Sequence, residues 1–572
     1  MFGVLAIEVK RKAKNAHTIA EIILVRWGET CHKCFLGFFF LTNLLVMSML
    51  ILGGVAVTNA LTGVPIEAAS FLMPVGFIIY TLVGGLRATI IAGYLNVATI
   101  FIIMCVCIFE VYGYASDLGS TGAVWDRLKA IISQEDSTCT AFGYDVETQT
   151  CGPLGKGNYN GSYLTILSAD GLMFGVINVI GNFGTVFCDQ SYWQSAIAAK
   201  PTSAHKGYLL GGLCWFSIPF SFATAVGLAN VALQLPTNYD EAGAGLVPAA
   251  TAIHLFGKSG GLMILIMVFM AVISTGSAEL VSVSSLVSYD IYRTYFNKEA
   301  TGDDILKVSR IVIVATGIFM GIFSIILNEI GLSLGWVYLF MGVLIGSAVF
   351  PVWACLSWEK ATATAALCAI FTGQTLAIIA WLVAAQVESG EISVATTGMN
   401  VPMLTGNLVA IFSSTFIMIT VSMMNPDNYD WDEMNKGLTL VDSDTATTAA
   451  LDPALYDEEL LTNSKNFVMK WGWGLTFIFL IMWPLLAIPA YDFPKSYFGF
   501  WVAISIIWAL LASTVSIALP LYEGKEGIMA VFSGVFTLAS GGEVPMKEEP
   551  KSYAKAADTE MVGVDEMPAP TA

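Results

Sequence analysis

The stretch DGLMFGVINVIGNFGTVFC, residues 170–188, decides how this chain is read. It is long and apolar enough to cross a bilayer, whose hydrocarbon core of about 30 Å takes roughly 20 residues of helix. Yet it carries Gly181-Asn182-Phe183-Gly184-Thr185 at mid-depth. Two readings follow. Glycines flanking an asparagine weaken the helix and free backbone groups to meet a solute, and irregular backbone at that depth is tolerated only where it lines a cavity or lies within protein. Alternatively, small residues let neighbouring helices pack closely. Asp189 and Gln190 follow at the end of the run, where a carboxylate can also simply be solvated.

Composition places the rest of the chain in the same setting. Of 572 residues, 56% are apolar and only 12% charged, against about 25% charged in a soluble domain. Most of the surface must therefore face lipid. Further apolar runs lie near 34–61, 67–85, 88–114, 207–234, 259–289, 307–329, 334–357, 361–385, 402–424, 468–490 and 497–521, giving twelve spans in all. The net charge of −18 weighs against nucleic acid as a partner. Cys105, Cys107, Cys214 and Cys368 sit inside apolar runs, where a thiol is a small buried hydrophobe. The four histidines are scattered, and no nucleophile–base set or phosphate loop is visible. That pattern points away from an enzyme. It calls for no cofactor and for no resident metal.

Positive charge sets the direction of insertion. Lys10, Arg11, Lys12, Lys14, Arg26 and Lys33 precede the first full span, and the basic loops that alternate from there share its side. That side is expected to be cytoplasmic, in a multi-pass protein of the plasma membrane with a cytoplasmic C-terminus. The loop 115–169 is then extracellular. It holds Asn160-Gly161-Ser162, a glycosylation acceptor, and Cys139 with Cys151, a plausible disulfide in an oxidising space. The chain divides into a helix stub at 1–7, a basic cytoplasmic segment at 8–33, ten spans over 34–424, a cytoplasmic loop at 425–467, two spans over 468–521 and a tail at 522–572. The loop and tail are acidic and rich in small polar residues, a composition that reads as disorder. Nothing here indicates an oligomeric state.

The run at 259–289 carries Ala271, Ser274, Thr275, Ser277 and Glu279. Hydroxyls and a backbone carbonyl are hard oxygen ligands for a small cation, although serine and threonine also bond back to the preceding turn. Glu279 is an ionisable group near the membrane centre. Such a group is costly unless it faces protein or water, and so is a functional candidate, with Asp189 a second candidate on a proton or polar path. Asp290 and Arg293 read as a local i,i+3 pair. Trp215 and Tyr338 sit deep enough to stack on a flat solute, or simply to fill the core.

At these residues the sequence resembles a known family. Ile180-Gly181-Asn182-Phe183-Gly184-Thr185-Val186-Phe187-Cys188-Asp189-Gln190-Ser191-Tyr192-Trp193 is similar to the urea–proton branch of the solute:sodium symporters. So are Ser274-Thr275-Gly276-Ser277-Ala278-Glu279-Leu280, Tyr289-Asp290-Ile291-Tyr292-Arg293 and Gly335-Trp336-Val337-Tyr338-Leu339. The resemblance implies an all-α, LeuT-like fold of two inverted five-helix repeats with extra C-terminal helices. Broken helices would frame a site near the midplane, and the break in 170–188 would fall at Gly181–Gly184. It further implies helices of the first repeat ahead of Met1, so that Met1–Ile7 is a stub.

The same resemblance implies cation-coupled uptake of urea by alternating access, with a proton or sodium as the coupling ion. Ala271, Ser274 and Thr275 match the family's cation site. Gly181, Asn182, Gly184, Thr185, Trp215 and Tyr338 would meet the solute. Two positions depart from sodium-coupled sugar carriers: Gly93, beside Tyr94, stands where they have an acidic residue, and Trp215 where they have a lysine. Both departures suit a flat neutral molecule better than a sugar. The rival readings are a carrier of polyamines or another small nitrogenous solute, and a non-transporting membrane sensor.

Overall fold

The computed structural model describes residues 2–132, 157–199, 201–438, 457–523 and 525. Cys139 and Cys151 lie outside these residues. The described chain is helical, and its one β contact is an isolated bridge between Asn158 and Ser168. In order the helices are α1 (Phe2–Lys12), α2 (Ile19–Thr62), α3 (Ile66–Phe109), α4 (Thr121–Ile132), α5 (Ala169–Cys188), α6 (Gln190–Ala198) and α7 (Pro201–Trp215). There follow α8 (Thr224–Ala232), α9 (Tyr239–Gly243), α10 (Val247–Phe256), α11 (Lys258–Ser285), α12 (Gly302–Glu329), α13 (Leu334–Ile345) and α14 (Val349–Ser357). The last are α15 (Ala363–Ser389), α16 (Val394–Thr397), α17 (Asn400–Met424), α18 (Trp431–Gly437), α19 (Glu458–Phe477), α20 (Trp483–Ala487) and α21 (Lys495–Glu523).

Eleven helices among the described residues are long and apolar enough to cross a membrane, by length and composition. The sequence led us to expect twelve. The difference lies at 67–85 and 88–114, which form the single 44-residue helix α3. Arg87 interrupts the hydropathy between those runs, but a charge does not break a helix. Within α3 the stretch from Ala92 qualifies as a span, and Ile66–Ile79 is shorter.

The helix 170–188 also differs from expectation. α5 is unbroken from Ala169 to Cys188. Gly181 and Gly184 are packing residues: a β-carbon on Gly181 would meet Met341 Cε at 2.9 Å, and one on Gly184 would meet Ile345 Cγ1 at 2.8 Å. The small-residue reading of the stretch is the correct one. The break falls later, at Asp189, whose extended backbone (φ −85°, ψ 119°) ends α5 and starts α6.

α2 changes direction at Gly28 (φ 79°, ψ −178°), a conformation open essentially to glycine alone. The elbow separates a short leading arm, capped by Thr18, from the long apolar part. Beside it, basic residues before the first long span have structural partners. Arg26 donates to the carbonyls of Ala354 (3.0 Å), Cys355 and Trp358 (2.6 Å), and Lys12 to Leu356 (2.7 Å). Those carbonyls end α14, where cations complement unpaired acceptors and the helix dipole. Trp431 lies against both cations, with Lys12 Nζ 3.6 Å and Arg26 Cζ 4.6 Å from its ring. The start of the loop expected to be disordered is thus held against α1 and α2, with α18 inside it.

Residues Met1–Ser513 form one compact unit and Thr514–Ala572 a second, of which the described part is the end of α21 and Lys525.

Candidate functional site

The break at Asp189 builds the site. Its side chain caps α6 by accepting from the Ser191 amide at 2.7 Å. The same carboxylate oxygen, Oδ1, accepts from Asn43 Nδ2 at 2.9 Å, and that nitrogen also donates to Glu279 Oε2 at 2.5 Å. Three helices therefore meet through one amide: Asn43 from α2, Asp189 from the α5–α6 elbow and Glu279 from α11. All three side chains are fully buried, at 0–1% exposure.

The two carboxyl groups share the Asn43 amide nitrogen as a common donor. Two buried oxygens, Glu279 Oε1 and Asn43 Oδ1, have no donor. A pair of bare carboxylates in a dry setting is costly. One proton on the pair removes a buried negative charge and supplies a donor where oxygens lack one. The arrangement therefore has room for one proton among these buried oxygens.

The structure thus unites Asp189 and Glu279. Asn43 was not singled out in the sequence. Its signal was a lone amide in the apolar run FLTNLLVMSML (40–50), where an unpaired polar side chain would be costly.

The expected solute-facing residues divide into three groups. Asn182 and Tyr338 come together: Asn182 Nδ2 lies 3.1 Å from Tyr338 OH, 2.8 Å from Asn178 O and 2.5 Å from Asn178 Oδ1. Tyr338 OH also bonds Asn178 Oδ1. Asn178, one turn before Asn182, is a partner the sequence reading missed. These contacts use the Asn182 nitrogen, and the side chain is exposed, so its oxygen can accept from a solute. Gly181, Gly184 and Thr185 instead seat α5 on α13, with Thr185 Oγ1 bonding Gly181 O at 3.2 Å and Met341 Sδ at 3.3 Å. Trp215 stands apart. It is 62% exposed at the end of α7, a helix that packs on α1 and α19.

Ala271, Ser274 and Thr275 occupy one turn of the unbroken α11. Ser277 bonds back to the Ser274 carbonyl at 2.9 Å, as hydroxyls in helices often do. A β-carbon on Gly93 would stand 3.7 Å from Ser274 Oγ, with nothing else within 4 Å. The position that lacks an acidic side chain therefore faces the serine expected to bind a cation, and a β-carbon there would be in ordinary contact with it.

Asp290 and Arg293 do not form the expected local pair. Asp290 Oδ1 accepts from Thr18 Oγ1 at 2.9 Å and meets His32 Nε2 at 3.1 Å. Arg293 reaches Glu21 at 3.7 Å. Beyond Ser285, α11 continues as a π-helix over Leu286–Phe296, and its changed winding turns these side chains toward α2. Asn160 is exposed in a tight turn at Tyr159–Gly161.

A helical membrane protein with buried carboxyl groups at a helix break, beneath an exposed amide, has the build of a secondary carrier. The sodium:solute symporter family model matches residues 1–373, and the chain belongs to that family. It is 50% identical over 537 residues to the urea-proton symporter DUR3 of rice, Oryza sativa subsp. japonica, covering 94% of this chain and 74% of the rice protein. It is 36% identical over 619 residues to the urea active transporter of Saccharomyces cerevisiae, covering 96% and 82%. A solved structure of a Na+-coupled sialic acid symporter in a substrate-bound, outward-open state superposes with a TM-score of 0.52 at 18% identity. That match covers 74% of this chain and 83% of the other, and the shared fold is the LeuT-like one.

Proposed function

We propose that this protein takes up urea across the plasma membrane, driven by protons, through alternating access. The observation that carries the reading is the dry Asp189–Asn43–Glu279 cluster, which joins three helices and has a place for one proton. The names of the rice and yeast relatives support urea as the solute. Urea is flat, neutral and rich in N–H donors. The exposed Asn182 oxygen and the Tyr338 hydroxyl supply polar contacts, and Phe174, stacked on Tyr338 at 6.2 Å, extends an aromatic wall. A polyamine would want carboxylates open to the path, whereas Asp189 and Glu279 are buried.

Coupling requires that the proton bind the two access states with different affinity. A carboxyl pair that is buried in one state and separated in the other meets that requirement. Ala271, Ser274 and Thr275 form the cation-site candidate, and without a carboxylate at Gly93 the site favours protons over sodium as the driving ion. The basic face is taken as cytoplasmic, together with the C-terminus. Asn160 is then an extracellular glycosylation site, and the chemistry is transport without catalysis.

The test is uptake of labelled urea by cells expressing the protein, with the proton and sodium gradients collapsed in turn. Loss of uptake with the proton gradient, and no competition by spermidine, is expected. Equal uptake after both gradients are collapsed would remove coupling, and competition by spermidine would replace the solute.

A further inference from the structure

A second buried acid lies further along the same helix path as Glu279. π-Helices are rare, mostly single turns, and frequent at functional sites; this one runs for 11 residues. Its i→i+5 repeat brings residues five apart toward one face, and Asp290 and Tyr295 both meet His32. Asp290 Oδ1 lies 3.1 Å from His32 Nε2, and His32 Nδ1 lies 2.6 Å from Tyr295 OH. His32 and Asp290 are completely buried, and Asp290 Oδ2 has no donor. Tyr295 is partly exposed. Thr294 and Lys298, in the stretch around it, line an open recess of about 290 Å³ with Glu21, Glu29 and Arg293.

The two acidic centres are also tied together structurally. Gln190, next to Asp189, accepts from the Ile19 amide at 3.1 Å, and Thr18, next to Ile19, donates to Asp290. The leading arm of α2 thus bridges the two carboxylate centres, and Gly28 sets its angle.

The geometry points to a second proton site at His32 and Asp290, through which the coupling proton leaves to the basic face by way of Tyr295. The inference rests on the proton-coupled reading above. The transfer conserves protons. The Asp290 carboxyl gives its proton to His32 Nε2, and the resulting imidazolium gives the Nδ1 proton to the Tyr295 oxygen as the tyrosine hydroxyl proton passes to water. A flip of the neutral ring restores the Nε2 acceptor before Asp290 takes up the next proton. Histidine suits the relay because both ring nitrogens can exchange protons near neutral pH.

The charges around His32 come from each packed element. α2 contributes Glu21, Glu29 and Lys33, with Lys33 Nζ 4.6 Å from the Tyr295 ring. The π-helix contributes Arg293, paired with Glu21, and Tyr289, stacked on His17. α12, which packs on both, carries Asp303, Asp304, Lys307 and Arg310 near its start.

The experiment compares Tyr295→Phe and His32→Gln with wild type in proteoliposomes loaded with a pH dye. Net proton-driven uptake of labelled urea, urea-linked acidification and urea/urea exchange are each read. Exchange returns the loaded carrier without releasing its proton, so both variants are expected to keep exchange and the urea KM within about twofold. Net uptake and acidification should fall at least tenfold, with Tyr295→Phe guarding against a folding defect at the buried histidine. Unchanged net uptake in both variants would overturn the relay, as would loss of exchange together with uptake in Tyr295→Phe. If wild type itself shows no acidification, the proton-coupled reading falls first and the relay with it.

Discussion

Gly184 is where the packing of α5 on α13 can be tested most directly. A β-carbon there would stand 2.8 Å from Ile345 Cγ1 and 3.1 Å from Cδ1, with the Gly346 nitrogen next at 3.8 Å. Ile345 is fully buried and, being β-branched, stiff at χ1, so it cannot swing aside. Gly184→Ala therefore overpacks the contact, at a cost of about 1–3 kcal/mol. Ile345→Ala removes both offending atoms and leaves a cavity costing about 2–5 kcal/mol. In the double variant the new methyl group enters that cavity, so the pair should be more stable than the sum of the singles by about 1–3 kcal/mol. Thermal unfolding of the purified protein in detergent measures the cycle, with labelled-urea uptake as a parallel readout. Additivity within about 0.5 kcal/mol, with uptake lost at undiminished stability, would mean that Gly184 faces the solute and not α13.

Other perturbations probe different parts of the molecule. Gly28→Ala forces a residue with a β-carbon into glycine-only backbone, so a loss of about 1–3 kcal/mol is expected; an unchanged melting temperature would show that the elbow relaxes freely. Asn43→Leu leaves two buried carboxyl groups without their shared donor, and breaking such a cluster costs about 3–5 kcal/mol. Surface abundance should drop and recover in part when Glu279→Gln is added; no recovery would argue against the shared amide. Gly93→Asp adds a carboxylate beside Ser274, and sodium-stimulated urea uptake should appear where wild type shows little. Burial pushes Lys10 down to about 8 from an ordinary 10.5. The unfolded chain then binds more protons between those values, so stability rises with pH across that window. Lys10→Met should stabilise more at pH 7 than at pH 10, and parallel melting curves would contradict this.

Hydropathy and length determined most of the architecture, because lipid leaves a backbone few choices but helix. Most of the spans and the transporter class were legible for that reason, although Arg87 suggested a boundary inside what is one helix. Glu279 and Asp189 stood out as ionisable groups in or beside apolar runs. Residue order alone also ranked Gly181–Asn182–Gly184 as unusual, but could not say why. A glycine serves a broken helix and a tight crossing equally well, and only Met341 and Ile345 lying against it decide between them. The same holds for charges. Local spacing joined Asp290 to Arg293, whereas the π-winding past Ser285 sent one to His32 and the other to Glu21. Asn43 became a candidate only when three helices met around it. Side-chain pairing across helices depends on which faces touch and on how each helix is wound, and those are properties of the packed structure.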